Sequence, residues 1–96
     1  MKLVWTRFAL DDLRQVYEYI SEDSEAAARK TISIIEESSQ VLKKYPDIGR
    51  PGRCKGTREL IIPRLPYIAA YRIKGNEVHI VSVVHTSMKW PDILPT

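Results

Sequence analysis

Apolar residues near the N-terminus recur with the period of an α-helix in two successive stretches. In the first stretch they are spaced four, three, one and three residues apart, and they are Ala9, Leu13, Val16, Tyr17 and Ile20. Polar residues occupy most positions between them, so the stretch predicts a helix with one apolar face. Thr6 stands where a side-chain oxygen can cap the first turn.

A second helical stretch follows a short polar interruption at residues 21–24. Asp23 or Ser24 can cap its first turn, and Pro46 cannot continue a helix, which places the end of the helix just before that residue. Its predicted apolar stripe contains Ala27, Thr31, Ile34, Ser38, Val41, Leu42 and Tyr45, with Ile35 beside it. Two amphipathic helices joined by so short a connection predict an antiparallel hairpin.

Four further stretches are rich in β-branched and aromatic residues and predict strands. They are residues 2–6, 57–62, 67–73 and 77–85. Gly75 and Asn76 form a two-residue turn between the last two stretches, because both residue types tolerate positive φ. The last strand is apolar on both faces, which is typical of the middle of a sheet.

Strict alternation along these strands assigns their side chains to faces. The face of the last strand that carries His85 is predicted to carry also His79, Val81 and Val83. Alternation also places Tyr67 and Tyr71 together on one face of the preceding strand. We expect these two aromatic residues to belong to the core rather than to a base-stacking surface.

Residues 46–56 contain two prolines and three glycines in eleven positions, so they predict a loop without regular structure. The predicted order of elements is therefore β-α-α-β-β-β. This order defines an α+β fold in which the helical hairpin packs on a small, mostly antiparallel sheet. With 96 residues the chain is long enough for one core, and residues 1–96 are expected to form a single domain.

Composition narrows the class of protein further. Cys54 is the single cysteine, which excludes an internal disulfide and is typical of a reducing compartment. The sequence has no run of about 18 apolar residues that would predict a membrane span, and its N-terminus lacks the apolar run of a secretory signal. We therefore expect a soluble, cytoplasmic protein with no membrane partner.

The net charge of +3 is concentrated in one quarter of the chain. Residues 50–72 carry six Lys and Arg against Glu59 alone, which gives this segment a charge of +5. Such a segment is either a solvated face or a docking site for an acidic partner or nucleic acid, and both interpretations stay open. The candidate target-binding cations are Arg50, Arg53, Lys55, Arg58 and Arg64.

Few groups in the sequence could carry out chemistry. No metal-ligand spacing joins His79 and His85 to other ligands, and no phosphate-binding loop motif is present, so neither a metal nor a cofactor is expected. His85 ends an apolar strand, where it is either a structural histidine or a proton donor. Cleavage of RNA through its 2′-hydroxyl would also need a cation on the phosphate and a proton acceptor.

A catalytic alternative would have to combine residues that are far apart in the sequence. Arg58, Arg64 and Lys89 could stabilise the phosphate, and His85 could act as the acid. Glu59 is the nearby carboxylate, but alternation points it to the face opposite Arg58. This alternative therefore depends on whether the fold gathers these side chains.

Five short motifs follow one another along nearly the whole chain. They are Ala9-x-x-Asp12-Leu13, Pro46-Asp47-Ile48-Gly49-Arg50-Pro51-Gly52-Arg53, Gly56-Thr57-Arg58-Glu59-Leu60, Pro66-Tyr67-Ile68-x-x-Tyr71-Arg72-Ile73 and Val83-Val84-His85-x-Ser87-Met88. Their order and spacing together resemble the RelE/ParE superfamily of toxins from type II toxin–antitoxin modules. The resemblance implies the same α+β fold and a cognate antitoxin that blocks the toxin, with promoter DNA bound only through the antitoxin.

The superfamily contains two activities, and the sequence resembles one branch more closely. RelE-like members cut mRNA in the ribosomal A site with Lys or Arg and a C-terminal Tyr or His, whereas ParE-like members poison DNA gyrase. The segment His85-Thr86-Ser87-Met88 resembles the close of ParE-like members, and Thr86 and Ile68 stand where some nucleases have a catalytic Tyr and Arg. The resemblance therefore favours a gyrase-poisoning, plasmid-stabilising toxin without catalytic residues.

Two alternatives stay open at this point. Arg58, His85 and Lys89 could form a RelE-like, ribosome-dependent endoribonuclease, or Met88 could mark an inactive toxin-fold binding module. The tail segment Trp90-Pro91 is predicted to cover one end of the core. When no antitoxin is bound, an apolar helix face that it would otherwise cover could pair two toxins as a homodimer.

Overall fold

The computed structural model describes residues 1–87. Its elements are β1 (Lys2–Trp5), α1 (Arg7–Ser21), α2 (Glu25–Ser39), β2 (Arg50–Pro51), β3 (Arg58–Ile61), β4 (Tyr67–Lys74) and β5 (Glu77–His85). A 3₁₀ turn over Gln40–Lys43 follows α2. Met88, Lys89 and Trp90, which carry expectations from the sequence, lie outside the described residues. Within residues 1–87, no helix is long and apolar enough to cross a membrane.

The five strands form one mixed sheet in the order β1-β5-β4-β3-β2. β1 runs parallel to β5 and all other neighbours are antiparallel, so the predicted α+β fold with a mostly antiparallel sheet is confirmed. β5 lies between β1 and β4, as its two apolar faces predict. The two helices pack against each other and cover one face of the sheet.

Both helices begin where their capping residues predict. The Thr6 Oγ1 accepts a hydrogen bond from the Ala9 backbone N–H at 3.3 Å, and the Ser24 Oγ accepts one from the Ala27 N–H at 3.1 Å. Each bond satisfies one of the unpaired amides of a first helical turn. Thr6 Oγ1 also donates to the Ile80 carbonyl oxygen at 2.7 Å, so the cap of α1 is tied directly to β5.

The buried face of α2 is displaced from the predicted stripe. Its buried residues are Ala28, Thr31, Ile35 and Ser39. Ala27 and Tyr45, which the stripe included, are exposed instead. The Ser39 hydroxyl donates to the Ile35 carbonyl oxygen at 2.7 Å, so it is satisfied inside the helix and can be buried against the core. The α-helix also ends at Ser39, before the proline that was expected to stop it.

The main core lies between the helices and the sheet. Tyr71 on β4 is its largest fully buried side chain, and Tyr67 on the same strand is also buried, which confirms their predicted place in the core. Around them pack aliphatic residues from every layer: Ala9, Leu13, Ile35, Leu42, Val78, Ile80 and Val83. A smaller cluster of Cys54, Ala70 and Val81 is separate from this core.

A β-bulge in β5 changes which residues share a face with His85. The register between β4 and β5 shifts in the middle of the strands, and Val81 is the extra residue. Val81 therefore packs in the smaller cluster, whereas Val83 packs in the main core below the helices. The prediction that His85 shares a face with His79 and Val81 is wrong, because the bulge reverses the alternation between them.

The loop predicted over residues 46–56 contains one short strand, β2. Arg50 pairs with Glu59 and Pro51 pairs with Arg58 along the edge of the sheet. Proline is tolerated here because an edge strand needs no hydrogen-bond donor on its outer side. The Pro and Gly content of this segment does not predict a strand, because β2 is stabilised by pairing with β3 rather than by local propensity.

Asp12 on α1 closes the edge of β5 beyond the end of β1. β1 pairs with β5 only as far as Ile80, so the next backbone donor on that side has no strand partner. The Asp12 Oδ2 accepts hydrogen bonds from the Val83 N–H at 2.9 Å and from the Ser82 hydroxyl at 3.0 Å. These charge-assisted bonds fasten the middle of α1 to the sheet.

Replacing Asp12 with alanine should destabilise the fold by about 2–3 kcal/mol, because it leaves two partly buried donors without their charged acceptor. Urea unfolding followed by circular dichroism measures the change. Asp11→Ala is the matched control, since Asp11 is exposed and pairs with Arg14 on the helix surface at 3.6 Å. The control should cost no more than about 0.5 kcal/mol. Equal costs for the two variants would contradict the role assigned to Asp12.

Candidate functional site

Glu59 is a buried carboxylate on β3 that organises the cations of the loop before it. Only 2% of the residue is exposed. Its Oε1 accepts a hydrogen bond from the Arg50 Nε at 3.0 Å, and its Oε2 accepts one from the Arg53 backbone N–H at 2.9 Å. The Arg53 Nε lies 3.9 Å from the same Oε2. A buried carboxylate needs such partners, so Glu59 fixes residues 50–53 against the sheet.

Arg58 lies on the face of β3 opposite Glu59, as alternation predicts. Its Nη1 donates to the Gly49 carbonyl oxygen at 2.7 Å and to the Asp47 carbonyl oxygen at 3.2 Å. Its Nε lies 3.9 Å from the Asp47 carboxylate. The guanidinium therefore supports the backbone of the loop, while about one third of the side chain remains exposed, at 36%.

Tyr71 holds the same loop from inside the core. Its hydroxyl donates to the Pro46 carbonyl oxygen at 2.7 Å and accepts from the Gly49 N–H at 2.9 Å. Burial raises the pKa of this phenol, which keeps the donated proton on the hydroxyl. A side chain at position 49 would collide with the tyrosine ring, so the close approach of loop and ring requires Gly49.

The tip of the loop forms a tight turn beside β4. The Thr57 N–H and hydroxyl both donate to the Cys54 carbonyl oxygen, at 3.1 and 2.6 Å. Gly56 adopts a positive φ of 79°, which the turn requires. Arg72 of β4 donates from Nη1 to the Lys55 carbonyl oxygen at 3.2 Å, so its guanidinium lies against the turn.

A cleft of about 480 Å³ lies near the other end of β5, beside α1. Its lining residues are Asp12, Gln15, Val16, Tyr19, Tyr67, Val83, His85 and Ser87. The His85 ring stands edge-on to Tyr67, with 5.2 Å between the ring centroids and 87° between the planes. The His85 Nδ1 accepts from the Ser87 N–H at 3.1 Å and lies 2.8 Å from the Ser87 hydroxyl, so the proton of the neutral ring belongs on Nε2.

The groups around this cleft are suited to binding. Tyr19 is 74% exposed. Burial raises the pKa of Tyr67, and the nearby Tyr19 adds to the effect, so the phenol stays protonated at neutral pH. In the part of the chain that the structure describes, no group of three His, Cys, Asp or Glu is placed to hold a metal ion. The cleft is thus an apolar-lined hollow with hydrogen-bonding groups around it.

The fold does not bring together the residues of the catalytic alternative. Arg58 pairs across the sheet with Tyr71, and Tyr71 pairs with Ile80 on β5. His85 pairs with Tyr67, which lies four residues from Tyr71 on β4, or about 13 Å along the strand at about 3.3 Å per residue. Groups that act on one phosphate need to lie within hydrogen-bond reach of it, and Arg58 and His85 cannot both do so. Lys89 lies outside the described residues.

The five candidate target-binding cations are also divided by the fold. Arg50 and Arg53 contact Glu59 on one face of the sheet, and Lys55 lies in the turn that follows. Arg58 lies at the same end of the sheet on the opposite face. Arg64 has a positive φ of 67° in the β3–β4 turn, at the end that carries the cleft. These cations therefore do not form one contiguous patch.

Charge is separated across the sheet. Among residues 1–87, the cations on the face opposite the helices, or on the loop packed against it, are Lys2, Arg50, Arg53, Lys55, Arg72 and Lys74. The carboxylates there are Glu59 and Glu77, so this group of eight residues, called the cationic face below, carries +4. The helical hairpin at residues 7–39 holds four cations and eight carboxylates, and it therefore carries −4.

Sequence reasoning missed three contacts that build these sites. They are the Asp12 carboxylate at the edge of β5, the Tyr71 hydroxyl under the loop and the burial of Glu59. For Glu59 a signal exists, since it is the one acidic residue among six cations in residues 50–72. The other two give no local signal, because each joins residues that are distant in the sequence. The Asp12 contact spans 70 positions or more, and the Tyr71 contact with Pro46 spans 25.

Comparison with known proteins agrees with this architecture. Residues 3–90 match the sequence model of the ParE toxin of type II toxin–antitoxin systems, parDE. The chain is 40% identical over 93 residues to toxin Y4kP of Sinorhizobium fredii, an alignment that covers 97% of this chain and 96% of the relative. It is 30% identical over 86 residues to toxin RelE2 of Caulobacter vibrioides, covering 90% and 96% of the two chains.

A solved structure is similar in fold as well as in sequence. It comes from the chromosomal ParDE toxin–antitoxin system of P. aeruginosa, and it aligns with a TM-score of 0.83 at 32% identity over 91% of this chain and 97% of that chain. Fold and sequence together define a toxin of the type II toxin–antitoxin class. Within that class, the chain belongs to the ParE toxin family.

Replacing Glu59 with glutamine should lower the free energy of unfolding by about 2–4 kcal/mol, because Arg50 and Arg53 lose the buried negative charge that they pair with. The cost stays below that of a fully buried pair, since the Arg50 and Arg53 side chains are about half exposed. Chemical unfolding measures the change. Glu25→Gln breaks an exposed ion pair with Arg29 and should cost about 0.3–0.5 kcal/mol. A Glu59 variant as stable as this control would contradict the proposed support of the loop.

Proposed function

We propose that this ParE-family protein inhibits growth by poisoning DNA gyrase and that a cognate antitoxin neutralises it in the cytoplasm. The observation that carries the proposal is the separation of Arg58 from His85 by about 13 Å along the strands. A toxin that cuts RNA needs an acid and phosphate-binding cations at one phosphate. A toxin that stalls another enzyme needs only a surface that binds it.

The way the loop cations are held favours binding over chemistry. A buried carboxylate and loop carbonyl oxygens hold Arg50, Arg53 and Arg58 in place, and each side chain still reaches solvent. Preorganised side chains lose less entropy when a partner binds than mobile ones do. Lys55 adds an exposed cation at the same end, and Arg64 adds one in the β3–β4 turn.

Exposed apolar surface on the helical side suits a protein partner. Tyr19 is the most exposed of the large apolar residues on α1, and it stands beside the cleft with Val16. Such surface is covered in most stable complexes. An antitoxin is the partner that the ParE family and the ParDE structural relative support. When the antitoxin is absent, the same surface could pair two copies of the toxin.

Purified gyrase tests the proposal directly. With supercoiled plasmid and ATP, the wild-type chain should cause gyrase-bound, cleaved DNA to accumulate, and adding the antitoxin should prevent this. His85→Ala should act like the wild type, because the proposed mechanism uses no proton transfer at His85. Added to translating ribosomes, neither protein should produce cut mRNA.

Codon-boundary cuts in mRNA that disappear in His85→Ala would contradict gyrase poisoning and would establish a ribosome-dependent endoribonuclease instead. Gln15→Ala is the control for this comparison, because Gln15 lines the same cleft without a group that titrates near neutral pH. Thermal melting of both variants establishes that each is folded. Loss of activity in both variants alike would indicate a damaged cleft rather than a missing acid.

A further inference from the structure

The face of the sheet away from the helical hairpin has no helix packed on it within residues 1–87. The hairpin covers the side that contributes Tyr71, Val78 and Ile80 to the main core. On the other side, the loop around Cys54 covers only the small cluster in the middle of the sheet. The end of this side near the β4–β5 turn carries the cationic face.

The strand register sets the charges of the cationic face in rows. Lys74 on β4 lies opposite Glu77 on β5, and Glu77 lies opposite Lys2 on β1. Arg72 lies on the same side of β4 as Lys74, and the two residues are about 7 Å apart along the strand. Lys2 lies two strand spacings from Lys74, or about 10 Å across the sheet. Arg72 also contacts the backbone of Lys55, which brings the loop cation into the same array.

The two carboxylates of the cationic face do not neutralise all six of its cations. The Nε of Arg72 is buried and has no hydrogen-bond partner among residues 1–87. Lys55 and Lys74 are exposed, and no ion pair involves either of them among residues 1–87. The nearest surface carboxylate, Glu77, already accepts a hydrogen bond from His79 at 2.9 Å. Lys55 and Lys74 are therefore available to an outside anion.

The absence of apolar anchors decides which class of partner fits. Stable protein interfaces are anchored by aromatic or aliphatic side chains at their centre. The exposed large apolar residues within 1–87 are Met1, Phe8, Leu10, Tyr19, Tyr45, Ile48, Ile61 and Ile73. Of these, Ile61 shares this face of the sheet, but it lies toward the opposite end of β3, away from Arg72 and Lys74. A phosphodiester backbone, in contrast, is bound by cations alone.

We propose that the cationic face binds the sugar–phosphate backbone of duplex DNA. Lys55 and Lys74 can each bind a phosphate through an exposed ammonium group, and the Arg72 guanidinium adds positive charge beside them. No helix or ribbon of the described part of the chain projects from this face toward a groove, so binding positions the protein without reading base sequence. The helical hairpin carries a charge of −4 and is repelled by DNA. The opposite charges of the hairpin and the cationic face therefore orient the protein with the cationic face toward the DNA.

The inference rests on the proposed function and extends it. Gyrase holds duplex DNA while it cleaves it, so a toxin that contacts the backbone beside the enzyme is held at the stalled complex by two surfaces. Non-specific DNA contacts also raise the local concentration of the toxin where gyrase works. The antitoxin, bound on the helical side, would leave this face available.

Fluorescence anisotropy with the full chain and a short labelled duplex of random sequence tests the inference over a series of salt concentrations. If three or four phosphates are neutralised, the logarithm of the binding constant should fall with the logarithm of salt with a slope of about −2.7 to −3.6. The double variant Lys55→Gln/Lys74→Gln should reduce the magnitude of the slope by about 1.8, because it removes two phosphate contacts.

The double variant Lys30→Gln/Lys43→Gln is the matched control. It removes the same charge from α2 and from the 3₁₀ turn, where both lysines are exposed, and its slope should equal that of the wild type. Equal slopes in all three proteins would overturn the inference. Failure of the wild type to bind duplex DNA, with or without binding of an acidic peptide such as polyglutamate, would also overturn it.

The same proteins separate this inference from the proposed function. If the Lys55/Lys74 variant loses DNA binding but gyrase is not poisoned by the wild type, the DNA contact holds and the proposed function fails. If gyrase is poisoned and the wild type shows no salt-dependent DNA binding, the proposed function holds and the DNA contact fails.

Discussion

The buried carboxylate of Glu59 is the group on which the arrangement of the loop at residues 46–56 depends. It accepts hydrogen bonds from the Arg50 side chain and from the Arg53 backbone, so it aligns the short strand β2 and holds the following turn against the sheet. From the opposite side, Tyr71 and Arg58 bind the carbonyl oxygens of the same loop. A Pro- and Gly-rich loop thereby becomes a rigid frame for exposed cations.

The sheet separates this frame from the other polar site of the protein. The cleft beside His85 lies at the far end of β5, next to the exposed apolar surface of α1. Charge follows the same division, since the helical hairpin carries −4 and the cationic face carries +4. We infer that the two sides have different partners: a protein on the helical side and an anionic target on the other. A binding toxin can use such a division, whereas a nuclease needs its groups in one place.

The sequence was sufficient where local pattern decides structure and insufficient where distant contacts decide it. Capping by Thr6 and Ser24, the order of the helices and the longer strands, and the interior position of β5 follow from propensity and periodicity, and the structure confirms them. The bulge at Val81 could not be predicted, because one inserted residue reverses a face without changing the apolar pattern. The role of Asp12 could not be predicted either, because its carboxylate takes the place of a strand partner for residues of β5 about 70 positions further along the chain.

The central claim is that this toxin acts by binding and performs no chemical step, and a titration tests it most directly. Increasing amounts of the chain are added to a fixed amount of gyrase and plasmid, and the cleaved complex is followed until it no longer changes. We predict saturation at a fixed ratio of toxin to gyrase, reached at the same ratio after short and long incubation. Intact gyrase activity at every ratio, accompanied by many cuts in RNA per toxin molecule when ribosomes are supplied, would contradict the account.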